Sequence, residues 1–224
     1  MSRHDPVFLG TTGPLQEVMN PMADLLDMDY PFTGRWLVQN SPADRVPSHG
    51  TTLFATSYAI DFVPVDGSGR SAPFTFGSLL RPEPPESFVG FGRPVLSPVA
   101  GTVVASHDTE RDHFSYRGVP SIGYSLTQAR RVGEGWRALA GNHVMIRCDG
   151  GIVSLCHLQH LSTRVRAGQH IEIGEEIGRC GNSGNSTEPH LHVQAIDRVD
   201  IEHAVATRIA FRGALPSNGS VVSR

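Results

Sequence analysis

The stretch CGNSGNSTEPHLHVQA, residues 180–195, constrains the fold more than any other part of the chain. A loop of Gly, Asn, Ser and Thr reaches a proline there, and the polar and apolar residues that follow alternate strictly. Such alternation predicts a half-buried β-strand, because successive side chains of a strand point to opposite faces of the sheet. His190, His192 and Gln194 are therefore predicted to share one face. Two imidazoles one strand repeat apart suit two metal bonds, or one metal bond beside a proton-transfer group.

The composition is typical of a globular, loop-rich protein with more β-structure than helix. Of the 224 residues 39% are hydrophobic, with 24 glycines and 16 prolines. A net charge of −3 argues against an electrostatic attraction to nucleic acid or to anionic membranes. All 19 basic residues are arginines. The absence of lysine excludes a lipoyl- or biotin-carrying domain, since such a domain needs a lysine to carry its group.

The N-terminal residues, MSRHDPVFLGTTGPLQ, do not have the pattern of a secretory signal. They contain no apolar core of about seven residues or more. No apolar run approaches the ~20 residues that a membrane-spanning helix needs. As the sequence is written, we expect a cytoplasmic protein without a membrane span, unless a leader has been removed.

Short apolar runs separated by turn residues predict a chain built mainly from strands. Runs rich in β-branched and aromatic residues predict strands within Thr51–Val65, within Arg93–Ser106 and within Val205–Arg212. A DGG turn predicts a hairpin of Gly141–Cys148 with Gly151–Leu158. The expected fold class is mostly β, an antiparallel β-sandwich or barrel-like hybrid core of short strands with long loops.

The domain organisation follows from where these strands begin and end. We predict an irregular N-terminal wrap over 1–48, a β domain over 49–212 and a flexible tail over 213–224. A short helix is expected near Met19–Met28. The β domain carries an insertion over residues 107–138, with one helix near Tyr124–Val132. Connections of this length without strong periodicity are usually functional lids or binding loops, or flexible segments.

Candidate functional residues also occur outside the HLH strand. Asp61 lies in the apolar run AIDFV, where a carboxylate is costly to desolvate unless it is paired or bound to a metal. Alternation along GIVSLCHL predicts Val153, Leu155 and His157 on one face. Four residues of the insertion resemble metal ligands in composition, although a solvated polar loop explains them more simply: His107, Asp108, Asp112 and His113.

Six short motifs occur in a fixed order along Thr51–Ala195: YAIDF, SPVAGTVVAS, GNHVMI, SLCHL, VRAGQHIEIGEEIG and CGNSGNSTEPHLHVQ. In this order they resemble the lysostaphin-type zinc metallopeptidases, which include LytM-like peptidoglycan endopeptidases with a duplicated-hybrid-motif fold. The resemblance implies a Zn²⁺ ion held by a histidine, by Asp61 and by His192. It also implies catalytic roles for His157 and His190. Gln194, on the same face, is expected to orient a ligand histidine.

The sequence departs from the family at the first zinc ligand. Ser57 stands four residues before Asp61, where the family has a histidine, and a neutral hydroxyl is a poor zinc ligand. We predict that His49 fills the vacancy, because a hairpin can return a Ser-His-Gly turn to the end of the strand that carries Asp61. His107 and His113 are the alternatives.

The resulting functional hypothesis is a zinc metalloendopeptidase that cleaves a peptide bond in peptidoglycan cross-links or in a similar peptide. Zinc-bound water would attack the carbonyl, with His157 and His190 as acid–base and oxyanion groups. One alternative is a metal-free, degenerate family member that serves as a binding or activator module. Another is a phosphocarrier that uses a histidine pair. The sequence does not determine the oligomeric state.

Overall fold

The computed structural model describes residues 25–224, apart from the side chains of residues 122, 125, 126, 128 and 129. Strands dominate this part of the chain, which confirms the predicted mostly β fold class. The strands are β1 Leu25–Met28, β2 Arg35–Gln39, β3 Ile60–Pro64, β4 Pro94–Leu96, β5 Gly101–His107, β6 Asn142–Cys148, β7 Gly151–Leu158, β8 His170–Ile171, β9 Glu176–Arg179, β10 Leu191–Ile196, β11 Ala206–Phe211 and β12 Val221–Ser223. The helices are α1 Val119–Leu126, α2 Gln128–Gly133 and α3 Trp136–Ala140, and single 3₁₀ turns occur at Leu53–Ala55, Phe76–Leu79 and Pro85–Ser87.

Most of the strands form one large sheet with the order β12-β2-β3-β10-β7-β6-β5-β8. The strand pairs along this path are antiparallel. Strand β11 pairs with β10 and, in parallel, with β1. Strands β4 and β9 form a separate antiparallel pair. The HLH strand β10 therefore lies in the middle of the sheet, between β3 and β7.

An aromatic cluster lies under the centre of the sheet. The rings of Phe32 and Trp36 stack with their centroids 4.3 Å apart, and Phe62 of β3 meets Phe32 edge-on at 4.9 Å. All three side chains are fully buried. Burying one such side chain contributes roughly 1.5–3 kcal/mol relative to leaving it exposed. Because Leu191 and Val193 of β10 pack into the same core, the opposite face of β10 is left for polar side chains.

The two ends of the chain differ from the prediction. Residues 25–28 form strand β1 and not the end of a helix, and the rest of the predicted helix near Met19–Met28 lies outside the described residues. The segment over 1–48 is not irregular throughout, since β2 pairs with β3 in the main sheet. The predicted tail over 213–224 contains β12, which pairs with β2. Local sequence did not reveal these three strands, because their stability comes from pairing with distant strands.

The insertion over residues 107–138 contains more helix than predicted. Helices α1 and α2 replace the single expected helix near Tyr124–Val132, and α3 follows at once. A glycine precedes α3 and another follows it, both with positive φ, which limits this helix to five residues. No helix among the described residues has both the length and the apolar character needed to cross a lipid bilayer.

Candidate active site

Cross-strand pairing brings Asp61 and His192 together. Asp61 of β3 lies directly opposite His192 of β10 in the antiparallel register. Residues opposed in this way project their side chains to the same face, with Cβ atoms about 4.5–5.5 Å apart. The Asp61 Oδ1 and His192 Nδ1 atoms are 2.9 Å apart. Two residues separated by 131 positions in the chain thus meet on one face of the sheet.

A closed loop brings His49 to the same carboxylate. The Ser48 N–H donates to the Ser57 carbonyl over 3.0 Å, and the Ser48 hydroxyl donates to the Thr56 carbonyl over 3.2 Å. These bonds return the chain toward β3 and hold His49 Nε2 3.1 Å from Asp61 Oδ2. Ser57 contributes a backbone carbonyl to this loop. The imidazole of His49 therefore lies beside Asp61.

The hydrogen bonds of His49 define which ring nitrogen carries the proton. Because the Ser48 hydroxyl gives its hydrogen to the Thr56 carbonyl, its oxygen accepts from His49 Nδ1–H over 2.9 Å. The neutral imidazole then has its lone pair on Nε2. That lone pair faces the carboxylate of Asp61.

The same reasoning applies to His192, through Gln194. The Gln194 amide nitrogen donates to the Phe54 carbonyl over 3.0 Å, which fixes the orientation of the amide. Its oxygen consequently accepts from His192 Nε2–H over 2.9 Å. The lone pair of His192 lies on Nδ1 and also faces Asp61. A hydrogen bond to the distal ring nitrogen is the usual way in which a metal-binding histidine is oriented.

The donor atoms of His49, Asp61 and His192 converge within 4.8 Å of one another. Two imidazole lone pairs directed at a carboxylate repel it unless a proton or a metal cation lies between them. A cation among them would remove the repulsion, and two nitrogens with one oxygen form a donor set that zinc and similar divalent metals accept. The residues present therefore fit a divalent cation.

Asp61 is buried, and an amide donates a hydrogen bond to its carboxylate. The Asn40 amide donates to Oδ2 over 2.7 Å. Burial by itself raises the pKa of the Asp61 carboxyl, but while no metal is bound, positive charge at His49 and His190 and protons held between the carboxylate and the imidazoles of His49 and His192 more than offset that effect. The pKa of this carboxyl lies well below its usual value, so Asp61 is ionised. Asn40 was not predicted from the sequence, although its left-handed backbone (φ 49°) at the end of β2 is a conformation that asparagine favours.

His157 faces the site because of a β-bulge. Asn142 pairs with Leu158 and His143 with Cys156, so His157 is the extra residue of β7. Its φ of 63° turns its side chain away from the face that Val153 and Leu155 occupy. The predicted alternation was therefore wrong at His157.

The imidazole of His157 is neutral and fixed in orientation. Burial lowers its pKa well below the ordinary value, and the nearby imidazoles of His190 and His192 lower it further. The Nδ1 atom lies 2.9 Å from the Ser183 carbonyl, to which it donates. The lone pair on Nε2 is thus available at the site.

His190 is oriented in a similar way, just before β10 begins. Its Nδ1 lies 2.9 Å from the Glu188 carbonyl, to which it donates, and Nε2 lies 3.8 Å from Asp61 Oδ1. The rings of His190 and His157 have centroids 4.6 Å apart. The two imidazoles form a pair beside the three converging donors.

These groups line a cavity of about 340 Å³. One wall comes from the insertion, which contributes Tyr124, Arg131, Val132 and Trp136. The loop before β10 contributes another wall, including Asn185. The insertion is thus part of the cavity, as expected for a binding loop. No periodic signal in the sequence pointed to Arg131 or Asn185.

His107 and His113, the alternative ligands, lie elsewhere. The ring of His107 is 5.6 Å from that of His143, and its Nε2 is 3.5 Å from a Glu110 carboxylate oxygen. The two ring nitrogens of His113 contact the carbonyls of Phe114 and Gly184. Within residues 25–224, the group of metal-type ligands is His49, Asp61 and His192.

Part of the chain matches a known protein family. Residues 124–203 match Peptidase family M23. This segment includes His157, His190, His192 and Gln194, whereas His49 and Asp61 precede it. The order of the motifs in the sequence predicted a resemblance to the lysostaphin/LytM type of this family, and this match supports that resemblance.

Two curated relatives match parts of the chain. It is 36% identical over 78 residues to the peptidoglycan DD-endopeptidase ShyA of Vibrio cholerae, covering 34% of this chain and 18% of the relative. It is 46% identical over 55 residues to the DD-carboxypeptidase/endopeptidase Mpg of Neisseria meningitidis, covering 25% and 12%. The chain thus spans less than a fifth of the length of these relatives. Among solved structures, the catalytic domain of lysostaphin from Staphylococcus simulans matches with 16% identity and a TM-score of 0.39, over 78% of this chain and 88% of that one.

Proposed function

We propose that this chain is a zinc-dependent peptidase that hydrolyses peptide bonds in peptidoglycan. The match of residues 124–203 to Peptidase family M23 and the names of two relatives, a peptidoglycan DD-endopeptidase and a DD-carboxypeptidase/endopeptidase, support this function. The observation that carries the proposal is the convergence of two imidazole lone pairs on the ionised Asp61. Two imidazole nitrogens and a carboxylate oxygen this close together form a donor set that is expected at a metal site.

The metal would be held by His49 through Nε2, by a carboxylate oxygen of Asp61 and by His192 through Nδ1. Three protein ligands leave a coordination position open, which is the pattern of a catalytic zinc site. When bound, zinc lowers the pKa of a coordinated water from about 15.7 to about 7 and polarises a carbonyl oxygen. Ser48 and Gln194 orient the two imidazoles through the opposite ring nitrogens.

His157 and His190 would move protons during the reaction. Because each donates Nδ1–H to a backbone carbonyl, each can accept a proton at Nε2 and later return it to the leaving amine. In its protonated form, either imidazole can also donate a hydrogen bond to the developing oxyanion. The low pKa of His157 favours release of a proton that it has taken up. Positioned acid–base groups of this kind typically contribute ~10²–10⁴-fold to the rate.

Metal content tests the ligand assignment. We expect about one zinc per wild-type chain by elemental analysis, and a loss of zinc in His49→Ala and in His192→Ala. His107→Ala serves as the matched control, because His107 lies outside the converging donors, and it should retain zinc. Retention of zinc by His49→Ala would refute this ligand set. A wild-type protein that takes up no zinc after reconstitution would refute the zinc peptidase and favour a metal-free binding module.

Turnover tests the role of His190. The variant His190→Ala should bind zinc like the wild type but hydrolyse cross-linked muropeptides ~10²–10⁴-fold more slowly. The release of monomers from purified muropeptide dimers, followed by chromatography, measures this rate. Hydrolysis at the wild-type rate would contradict the proposed proton transfer.

A further inference from the structure

Arg131 is a fixed cation in the wall of the active-site cavity. It lies on α2 and lines the cavity together with Tyr124 and Asn185. Its Nε donates to the Asn185 side-chain oxygen over 2.7 Å, and its terminal nitrogens donate to the Thr127 hydroxyl over 2.7 Å and to the Tyr124 carbonyl over 2.9 Å. The guanidinium also lies 3.9 Å from the centroid of the Tyr124 ring. Three hydrogen bonds and a ring contact hold the charged group in one orientation.

All of these partners are neutral, so they leave the charge of Arg131 uncompensated. Its neighbour on the helix, Arg130, is paired with Glu134 over 3.3 Å. The ion pairs within residues 25–224 include none that involves Arg131. The acids that line the cavity have other partners, since Asp61 contacts His49 and accepts from the Asn40 amide, and Glu188 accepts from the Ser71 hydroxyl over 2.6 Å.

The guanidinium retains donors for a ligand. An arginine side chain has five N–H groups, of which Arg131 uses three within the protein. A planar guanidinium matches the two oxygens of a carboxylate in geometry, and its orientation here is already fixed. Little side-chain freedom would be lost when such a ligand binds.

We propose that Arg131 binds a carboxylate of the substrate, so that the cavity prefers peptides with a free carboxylate close to the scissile bond. This inference rests on the proposed peptidase function, and it names a feature of the substrate that the family and the metal site leave open. Arg131 acts as a specificity-determining residue, because it touches the substrate without taking part in proton transfer.

Two forms of one substrate test this preference. Cross-linked muropeptide dimers with free carboxylates are compared with the same dimers after carbodiimide-mediated amidation of those carboxylates. A charge-assisted hydrogen bond contributes enough to change kcat/KM by about tenfold to a hundredfold. The wild type should therefore favour the free form by that factor. Arg131→Gln should lower the ratio to near one, and Arg131→Lys should retain part of it.

Arg130→Gln is the matched control, because it removes a cation from the same helix at an exposed position outside the cavity. It should leave the ratio unchanged. If Arg131 only holds the loop of Asn185 in place, then Arg131→Gln slows hydrolysis of both dimers equally and leaves the ratio intact, which would overturn the inference.

Calorimetry with metal-free protein separates this inference from the proposed function. Wild-type protein should bind free dimers about tenfold or more tightly than amidated dimers, and Arg131→Gln should bind both alike. That result supports the carboxylate site even if no dimer is hydrolysed, in which case the peptidase proposal alone fails. Equal binding of the two dimers by the wild type, or no binding of either, would overturn the carboxylate site.

Discussion

Replacing Gln194 by methionine removes the acceptor that orients His192. The side chain of Gln194 is only 1% exposed, so water cannot take its place. The Nε2–H of His192 would lose its 2.9 Å hydrogen bond, and the Phe54 carbonyl would lose the amide that donates to it over 3.0 Å. A buried donor left without a partner costs about 1–3 kcal/mol. Methionine nearly conserves the volume, so packing changes little.

We expect the loss of this hydrogen bond to weaken zinc binding. Removing the partner of a metal-binding histidine typically lowers affinity about 10–100-fold, which corresponds to about 1.4–2.7 kcal/mol. Competition with a chromophoric zinc chelator measures the affinity of each protein. Gln39→Met is the control, because Gln39 lines the same cavity from β2 and is not a partner of His192. Zinc affinity in Gln194→Met equal to that of the control would refute the assigned orientation of His192.

Two further predictions concern stability. Burial lowers the pKa of His143 to about 4, and the charges of His107 and Arg137 also lower it. In the unfolded chain, His143 takes up a proton near pH 6.5. Its burial as a neutral imidazole therefore leaves the free energy of unfolding unchanged above that pH and lowers it by about 3 kcal/mol as the pH falls toward 4. Urea unfolding of metal-free protein at pH 7 and 4.5 should show this loss, and His143→Gln should reduce it. Gly181→Ala should lower the free energy of unfolding by about 1–3 kcal/mol in the same assay. The added Cβ would lie 2.3 Å from the Gln159 Cα, which is too close for two carbon atoms. Unchanged stability would contradict this close approach.

Local sequence was enough to predict much of the sheet and part of the site. Alternation in HLHVQ put His190, His192 and Gln194 on one face, and all three line the cavity. The DGG turn predicted the hairpin of β6 and β7, which the pairing of these strands confirms. These features depend on the two-residue period of a strand and on the turn between neighbouring strands, which short stretches of sequence encode.

Tertiary structure alone decided which distant groups meet. The sequence offered His49, His107 and His113 as partners for Asp61, and the loop closed by Ser48 brings His49 there. The face on which His157 lies depends on a bulge, which is set by the register between two strands and not by either strand alone. The position of Arg131 in the cavity wall likewise depends on how the insertion packs over the sheet. Local periodicity fixes the direction of a side chain within its own element, whereas loop closure and strand register, which involve residues far apart in the chain, fix what that side chain meets.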